Sequence, residues 1–427
     1  MIRVQSRQVR WEWRVLNWQA IAVVAVVSIV GCGDDPTGEA PQVEAVVAEP
    51  DEPAVAPKPA QQETASKVDA LLAALEAAAE DNDPLPVAKD DKDKKKVEAA
   101  RAAQQAVDLA EAIKATALRA RMDGSGKPLV LDFGGRYLTD AGLAKLKGLT
   151  TLQQLFLSKQ EAITDTGLEH LKGLTALKTL HLAGTPIGDT NLEALATLKV
   201  LQQLDLSGTA VTSKGLEQLK TLTGLVELRL AQSPVKDDGM VHLKALSNLK
   251  KLDLANTEIG APGLESLAAL KLQELELAGT LVDDSGLDHL KAMTTLRRLG
   301  LASGVGDKGL ETIKTLTGLT DLHVGGGSSV SDIGLDHLKG LTALQRLDLS
   351  GTGVTDTGLL AVKGLGNLKW LSLARTPITD SGLRHLRGLS NLRELDLSET
   401  KMRPGAVRQL QAALPNCRII GVTVKKG

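Results

Sequence analysis

A chain of 427 residues with 43% hydrophobic but only 2% aromatic residues has no material for a mixed aromatic core, so its apolar mass is aliphatic and chiefly leucine. Its formal net charge of -2, from 50 basic and 52 acidic side chains, excludes a strongly basic polymer binder, because a nucleic-acid partner requires a clustered positive face. The two cysteines, Cys32 and Cys417, stand too far apart and in contexts too different to read as a disulfide.

Residues 1–20 carry Arg3, Arg7, Arg10 and Arg14 against the single acid Glu12, and the uncharged run Ile21 to Val30 comes next. A basic head and a short apolar stretch read as a secretory signal over residues 1–31. At about ten residues the run falls short of the roughly twenty that a membrane-spanning helix needs. It ends in Ile29, Val30, Gly31 and Cys32, which resembles the lipobox of bacterial lipoproteins. The resemblance implies cleavage before Cys32 and lipidation of its sulfur. It thus implies a membrane anchor through an N-terminal lipid, in the bacterial cell envelope on the outer-membrane or periplasmic side.

Residues 32–96 are expected to be a flexible tether. From Gly33 to Pro59 they are dominated by Pro, Ala, Glu, Val and Asp, which bury too little apolar surface to offset ordering. Val68, Leu71, Leu72 and Leu75 share a helical face, and the mixed-sign run KDDKDKKK from Lys89 to Lys96 reads as solvated linker. Residues 97–130 are expected to form an N-terminal cap. A helix over about 97–114 places Val107, Ala110, Ile113 and Ala117 on one stripe, and a hairpin turns at Asp123, Gly124, Ser125 and Gly126. Together they would shield the exposed end of a stacked, repetitive domain.

From Leu131 to the end at residue 427 one phrase returns about every 24 residues: L-x-L-x-x-T-x-I/V-x-D-x-G-L-x-x-L-x-x-L. Its glycine landmark stands at Gly142, Gly167, Gly215, Gly239, Gly263, Gly286, Gly309, Gly334, Gly358 and Gly382, with Asn191 and Ala406 in two further places. That spacing predicts twelve coils, each a short strand followed by a short helix. In L-x-L both leucines, such as Leu180 and Leu182, turn inward by alternation. In L-x-x-L-x-x-L, as in Leu168, Leu171 and Leu174, helical spacing turns them to the same interior. Thr164 and Asp165 are natural N-caps. At the close, Cys417, Ile420 and Val422 align with the leucines of a thirteenth strand, making Cys417 a buried free thiol.

The repeat resembles the leucine-rich-repeat superfamily, closest to its ribonuclease-inhibitor-like and cysteine-containing types, over about 70% of the chain. The resemblance implies an α/β solenoid, a horseshoe with a concave parallel sheet. Where many such repeats carry Asn or Cys after the strand, this chain carries Thr185, Thr209, Thr257, Thr280, Thr352, Thr376 and Thr400, whose hydroxyls can still bond the turning backbone.

No catalytic constellation stands out from the repeats, so an enzyme is not expected. His170, His242, His289, His337 and His385 recur at one repeat position, which keeps them apart rather than around one ion, so no metal is expected. The recurring T-D aspartates read as capping groups. The glycines at 325–327 lack the lysine and helix of a phosphate loop, and no cofactor is expected.

Function is instead expected on the concave sheet. The middle residue of each L-x-L points outward, giving a column that includes Phe156, His181, Asp205, Arg229, Asp253, Glu276, Gly300, His323, Asp348, Ser372 and Asp396. A second column, one residue before the first leucine, includes Glu227, Lys251, Glu274, Arg298, Asp321, Arg346, Trp370 and Glu394. At about 4.8 Å per strand the strip would run roughly 55 Å, enough for a protein interface. Candidate partner-binding residues are therefore Phe156, His181, Asp205, Arg229, Asp253, Glu276, Arg298, His323, Arg346, Asp348, Trp370 and Asp396. The expected role is a monomeric, envelope-anchored binder of a protein partner, with a structural or self-assembling component as the alternative. Glycan binding is disfavoured, since Trp11, Trp13 and Trp18 precede Cys32 and leave only Trp370.

Overall fold

The computed structural model describes residues 119–421, apart from 125, 135–137 and 327–328. Cys32, the tether, the helix expected over 97–114 and Val422 lie outside the described residues.

The hairpin expected at Asp123 is present. Strand β1 (Arg119–Met122) pairs antiparallel with β2 (Pro128–Asp132), and the turn closes on Asp123, whose carboxylate accepts the Lys127 N–H at 2.9 Å. Every later strand is parallel to its predecessor and comes after it in chain order. They are β3 (Gln154–Phe156), β4 (Thr179–His181), β5 (Gln203–Asp205), β6 (Glu227–Arg229), β7 (Lys251–Asp253) and β8 (Glu274–Glu276). β9 (Arg298–Gly300), β10 (Asp321–His323), β11 (Arg346–Asp348), β12 (Trp370–Ser372), β13 (Glu394–Asp396) and β14 (Arg418–Ile420) complete the sheet.

The register is in phase, so Leu204, Leu228, Leu252, Leu275 and Leu299 stand opposite one another on successive strands. Each coil returns through a short helical segment, from four residues at Leu359–Val362 to ten at Pro404–Ala413. Their leucines meet those of the strands in one continuous core: Leu168, Leu171, Leu174, Leu177, Leu180 and Leu182 are all fully buried. A buried leucine contributes about 1.5–3 kcal/mol, and these leucines rest on those of the coils before and after them.

Three polar devices lock the coils. The threonine after the strand is buried and donates its hydroxyl to the carbonyl three residues back, at 2.6 Å for Thr185 to Leu182 and for Thr376 to Leu373. Threonine therefore does the turn-closing expected of it. The T-D aspartate caps across coils. Thr164 does cap its own helix, accepting from the Thr166 N–H at 3.3 Å, but Asp165 accepts from Gly188 of the next coil at 2.6 Å. Asp307 likewise takes the Ser331 N–H at 2.7 Å, the Ser331 hydroxyl at 2.6 Å and the Gly334 N–H at 2.9 Å. Asp140, Asp189, Asp237, Asp284, Asp332, Asp356 and Asp380 repeat the reach.

The landmark glycine is the third device. A Cβ on Gly334 would collide with the Asp307 carboxylate, and one on Gly309 would lie 2.6 Å from Asp284 Oδ1. The D-x-G motif thus joins an aspartate to the glycine one coil onward, not to the one two residues away. The chain of aspartates is interrupted where Ser213 and Ala261 stand; Ser213 still accepts the Lys236 N–H at 3.0 Å, whereas Ala261 has only a methyl.

The closing strand differs from expectation. Arg418 pairs with Glu394 and Ile419 with Leu395, so Ile419 packs on the core and Ile420 continues the outward column beyond Asp396. The helix Pro404–Ala413 is the longest of the described helices, at ten residues, and it delivers the strand one residue out of step with the motif. Cys417 is a buried free thiol, as expected, and burial pushes its pKa up to about 11.

Asp307→Ala is expected to destabilise the solenoid by about 1–3 kcal/mol by orphaning part-buried donors, and Gly334→Ala to destabilise it by steric conflict with the same carboxylate. Chemical denaturation of the double variant should show less than the sum of the two losses. Strict additivity would break the assignment of the pair.

Candidate functional site

Because the middle leucine of each three-residue strand points inward, the first and third residues share the outward face. All twelve residues singled out from the sequence lie there, on β3 to β13. The five recurring histidines lie away from it, half-buried on the helix side. Among the described residues no three of His, Cys, Asp and Glu are grouped to hold a metal ion, and no helix is long and apolar enough to cross a membrane.

The acids of the third position have a structural task that the sequence did not reveal. Each turns one oxygen back onto the N–H two residues ahead: Asp205 to Ser207, Asp253 to Ala255, Glu276 to Ala278, Asp348 to Ser350 and Asp396 to Ser398, at 2.9–3.0 Å. This fixes the sharp bend where the strand ends. The second oxygen is left to face its neighbours.

At the N-terminal end those neighbours form a chain of contacts. Phe156 meets His181 edge-on with ring centroids 4.8 Å apart. Asp205, only 8% exposed, lies 4.0 Å from His181 Nδ1 and 3.8 Å from Arg229, whose guanidinium also reaches Glu227 at 2.5 Å. Burial pushes the His181 pKa down, with help from Arg229 and against the pull of Asp205.

The first-position column is an alternating ladder. Glu274 takes Lys251 at 3.0 Å and Arg298 at 3.5 Å, and Asp321 sits between Arg298 at 3.8 Å and Arg346 at 3.7 Å. Arg346 then stacks 4.7 Å from the Trp370 ring centroid. The Trp370 indole N–H donates to Glu394 at 3.1 Å, and Arg418 lies 3.5 Å from the same carboxylate. Singly, such half-exposed pairs contribute little to stability. Together they hold long side chains in fixed positions before anything binds. Lys251, Glu274, Asp321 and Glu394 were visible in sequence as a column of opposite signs, whereas Arg418 was hidden by the shifted register of β14.

Further along the third-position column, His323 Nδ1 lies 2.8 Å from Asp348 Oδ2. Burial opposes a charged imidazole here, but the hydrogen bond and charge of Asp348, with the charge of Glu276, outweigh it and raise the His323 pKa. The same contact holds Asp348 below its usual value despite burial. The strand between contributes only Gly300, and the Glu276 carboxylate lies in the space a Cβ there would take.

Stacked parallel strands, inward leucines, threonine pegs and one in-register polar face define a leucine-rich-repeat solenoid. Comparison with known proteins agrees with that fold. Models described as leucine rich repeat match residues 342–402 and, for a second model, residues 173–196 and 245–268. No curated relative matches the chain. An internalin (inlF) from Listeria monocytogenes is 26% identical with a TM-score of 0.53, over 68% of this chain and 78% of its own. A second Listeria monocytogenes internalin, C2, is 25% identical with a TM-score of 0.40, over 50% and 91%. The plant peptide hormone receptor RGFR1, solved in complex with RGF2, is 15% identical with a TM-score of 0.37, over 65% and 56%.

The His323 shift has a sign. A raised folded-state pKa stabilises the fold below the imidazole's ordinary value, and that contribution disappears as pH rises through the folded value. In a proton-resolved titration His323 is expected to titrate above 6.5 and His181 below it, and Asp348→Asn should lower the His323 midpoint. A reversed order would discard the pairing.

Proposed function

We propose that this chain is a lipid-anchored protein of the bacterial envelope that binds a protein partner, without catalysis, through the outward face of its sheet. The observation that carries the binding reading is Trp370. In a chain so poor in aromatics, the one tryptophan of the described residues stands on this face, stacked under Arg346 and hydrogen-bonded to Glu394. Tryptophan and arginine are the side chains most often responsible for binding energy, and rigid ones lose least entropy on docking. The ion-paired ladder around them supplies a polar rim with charges already placed. The anchor rests on the sequence ending in Gly31 and Cys32, and the tether after it would give the solenoid reach from the membrane.

Two measurements on the full chain in a bacterial host test the proposal. Metabolic labelling with an alkyne fatty acid should mark the wild type and not Cys32→Ala; equal labelling would remove the anchor. A photo-crosslinking phenylalanine analogue in place of Trp370 should capture a different protein, whereas the same analogue in place of Ile333, an exposed helix-side residue, should not. Equal capture from both positions, or none from 370, would defeat the assignment of the face.

A further inference from the structure

We propose that the partner on this face places a cationic group, an arginine guanidinium or a lysine ammonium, against the paired carboxylates of Asp253 and Glu276 beside Gly300. This inference rests on the face being the binding surface and adds the chemistry of what is bound.

Asp253 and Glu276 stand opposite each other on β7 and β8. Along the third-position column, Asp205 and Asp348 spend their second oxygens on His181, Arg229 and His323. Asp253 and Glu276 have no cation within ion-pair distance among the described residues. Arg229, the nearest basic strand neighbour, is turned to Asp205 and Glu227, and Lys251 to Glu274. Glu276 Oε2 is screened from water without a hydrogen-bond partner. Closing the turns does not explain the two charges, because the amide oxygen of Asn or Gln would accept the Ala255 and Ala278 N–H groups equally well.

The pair therefore carries like charges side by side in a half-buried place, a net cost to the fold. Burial, and the charges of Asp205 and Glu227 on Asp253 and of Asp253 on Glu276, raise both pKa values, while the Ala255 and Ala278 N–H groups and then Arg229 and His323 only moderate this. A carboxyl whose folded pKa is raised favours the fold while protonated and loses that contribution as pH rises through the folded value. Groups that weaken the free protein in this way are explained when a bound partner compensates them. Gly300 has no side chain of its own, so the Glu276 carboxylate lies over it in place of a neutral or basic group, and the excess of acids there selects positive charge.

Asp253→Asn with Glu276→Gln keeps shape and removes charge. This double variant should melt at a higher temperature than wild type at pH 7, with the difference disappearing below about pH 4, so lost binding cannot be ascribed to lost folding. Random dodecapeptides displayed on phage are selected on the immobilised full chain and measured on both variants. Enriched peptides should share an arginine or lysine and bind the double variant at least tenfold more weakly than wild type. No enrichment, enriched peptides without a recurring cation, or binding to the double variant within twofold of wild type would each overturn the inference. Peptides that lose binding on Trp370→Ala but not on the double variant would leave the face standing and remove the cation; indifference to both would remove both.

Discussion

No coil of this solenoid can stand alone: two dozen ordered residues around a handful of leucines lose more conformational entropy than their own burial recovers. The rest of the structure depends on how one coil is tied to the next. Apolar contact supplies most of the attraction but has no direction. The aspartate that reaches forward supplies the direction, because its oxygens meet backbone N–H groups at one fixed place in the next coil, as Asp307 does at Ser331 and Gly334. The glycine is the counterpart of that reach, since a Cβ on Gly334 or Gly309 would meet the carboxylate, while Asn191 at the same landmark keeps the Asp165 reach with a left-handed backbone. With leucines giving cohesion and aspartates giving phase, thirteen parallel strands stay in register from Pro128 to Ile420.

Register is also what makes the outward face a usable surface. If strands slipped by one residue, inward and outward positions would exchange. Held in phase, the first-position column brings Lys251, Glu274, Arg298, Asp321 and Arg346 into a continuous alternation, and the ladder ends on the braced Trp370. The third-position column mixes support and exposure in the same side chains, with one carboxylate oxygen closing the turn and the other turned to its neighbours.

Much of this could be read from the sequence, and what could not has physical causes. The leucine and glycine periods, the hairpin at Asp123 and the buried Cys417 depend on local pattern and were legible. The target of each aspartate was not, because D-x-G places a glycine two residues away while the true partner stands a coil later at an identical motif. The closing strand was misaligned because Asn416, Cys417 and Arg418 repeat Asn391, Leu392 and Arg393 in sequence, although the pairing sets Arg418 against Glu394. That both columns lie on the outward face of the sheet was legible from the alternation, but which charges are compensated depends on side-chain geometry. Asp253 and Asp348 occupy equivalent positions, and only the latter has a histidine at hand.

The forward reach of each aspartate ends mainly on main-chain N–H groups, which every residue type but proline presents alike. A coil therefore accepts almost any successor that keeps a glycine at the landmark, whatever its surface carries. Gene duplication or deletion could then lengthen or shorten the array in whole units of about 24 residues, leaving the junctions intact while the outward columns drift freely. Such a chassis separates inheritance of architecture from inheritance of specificity.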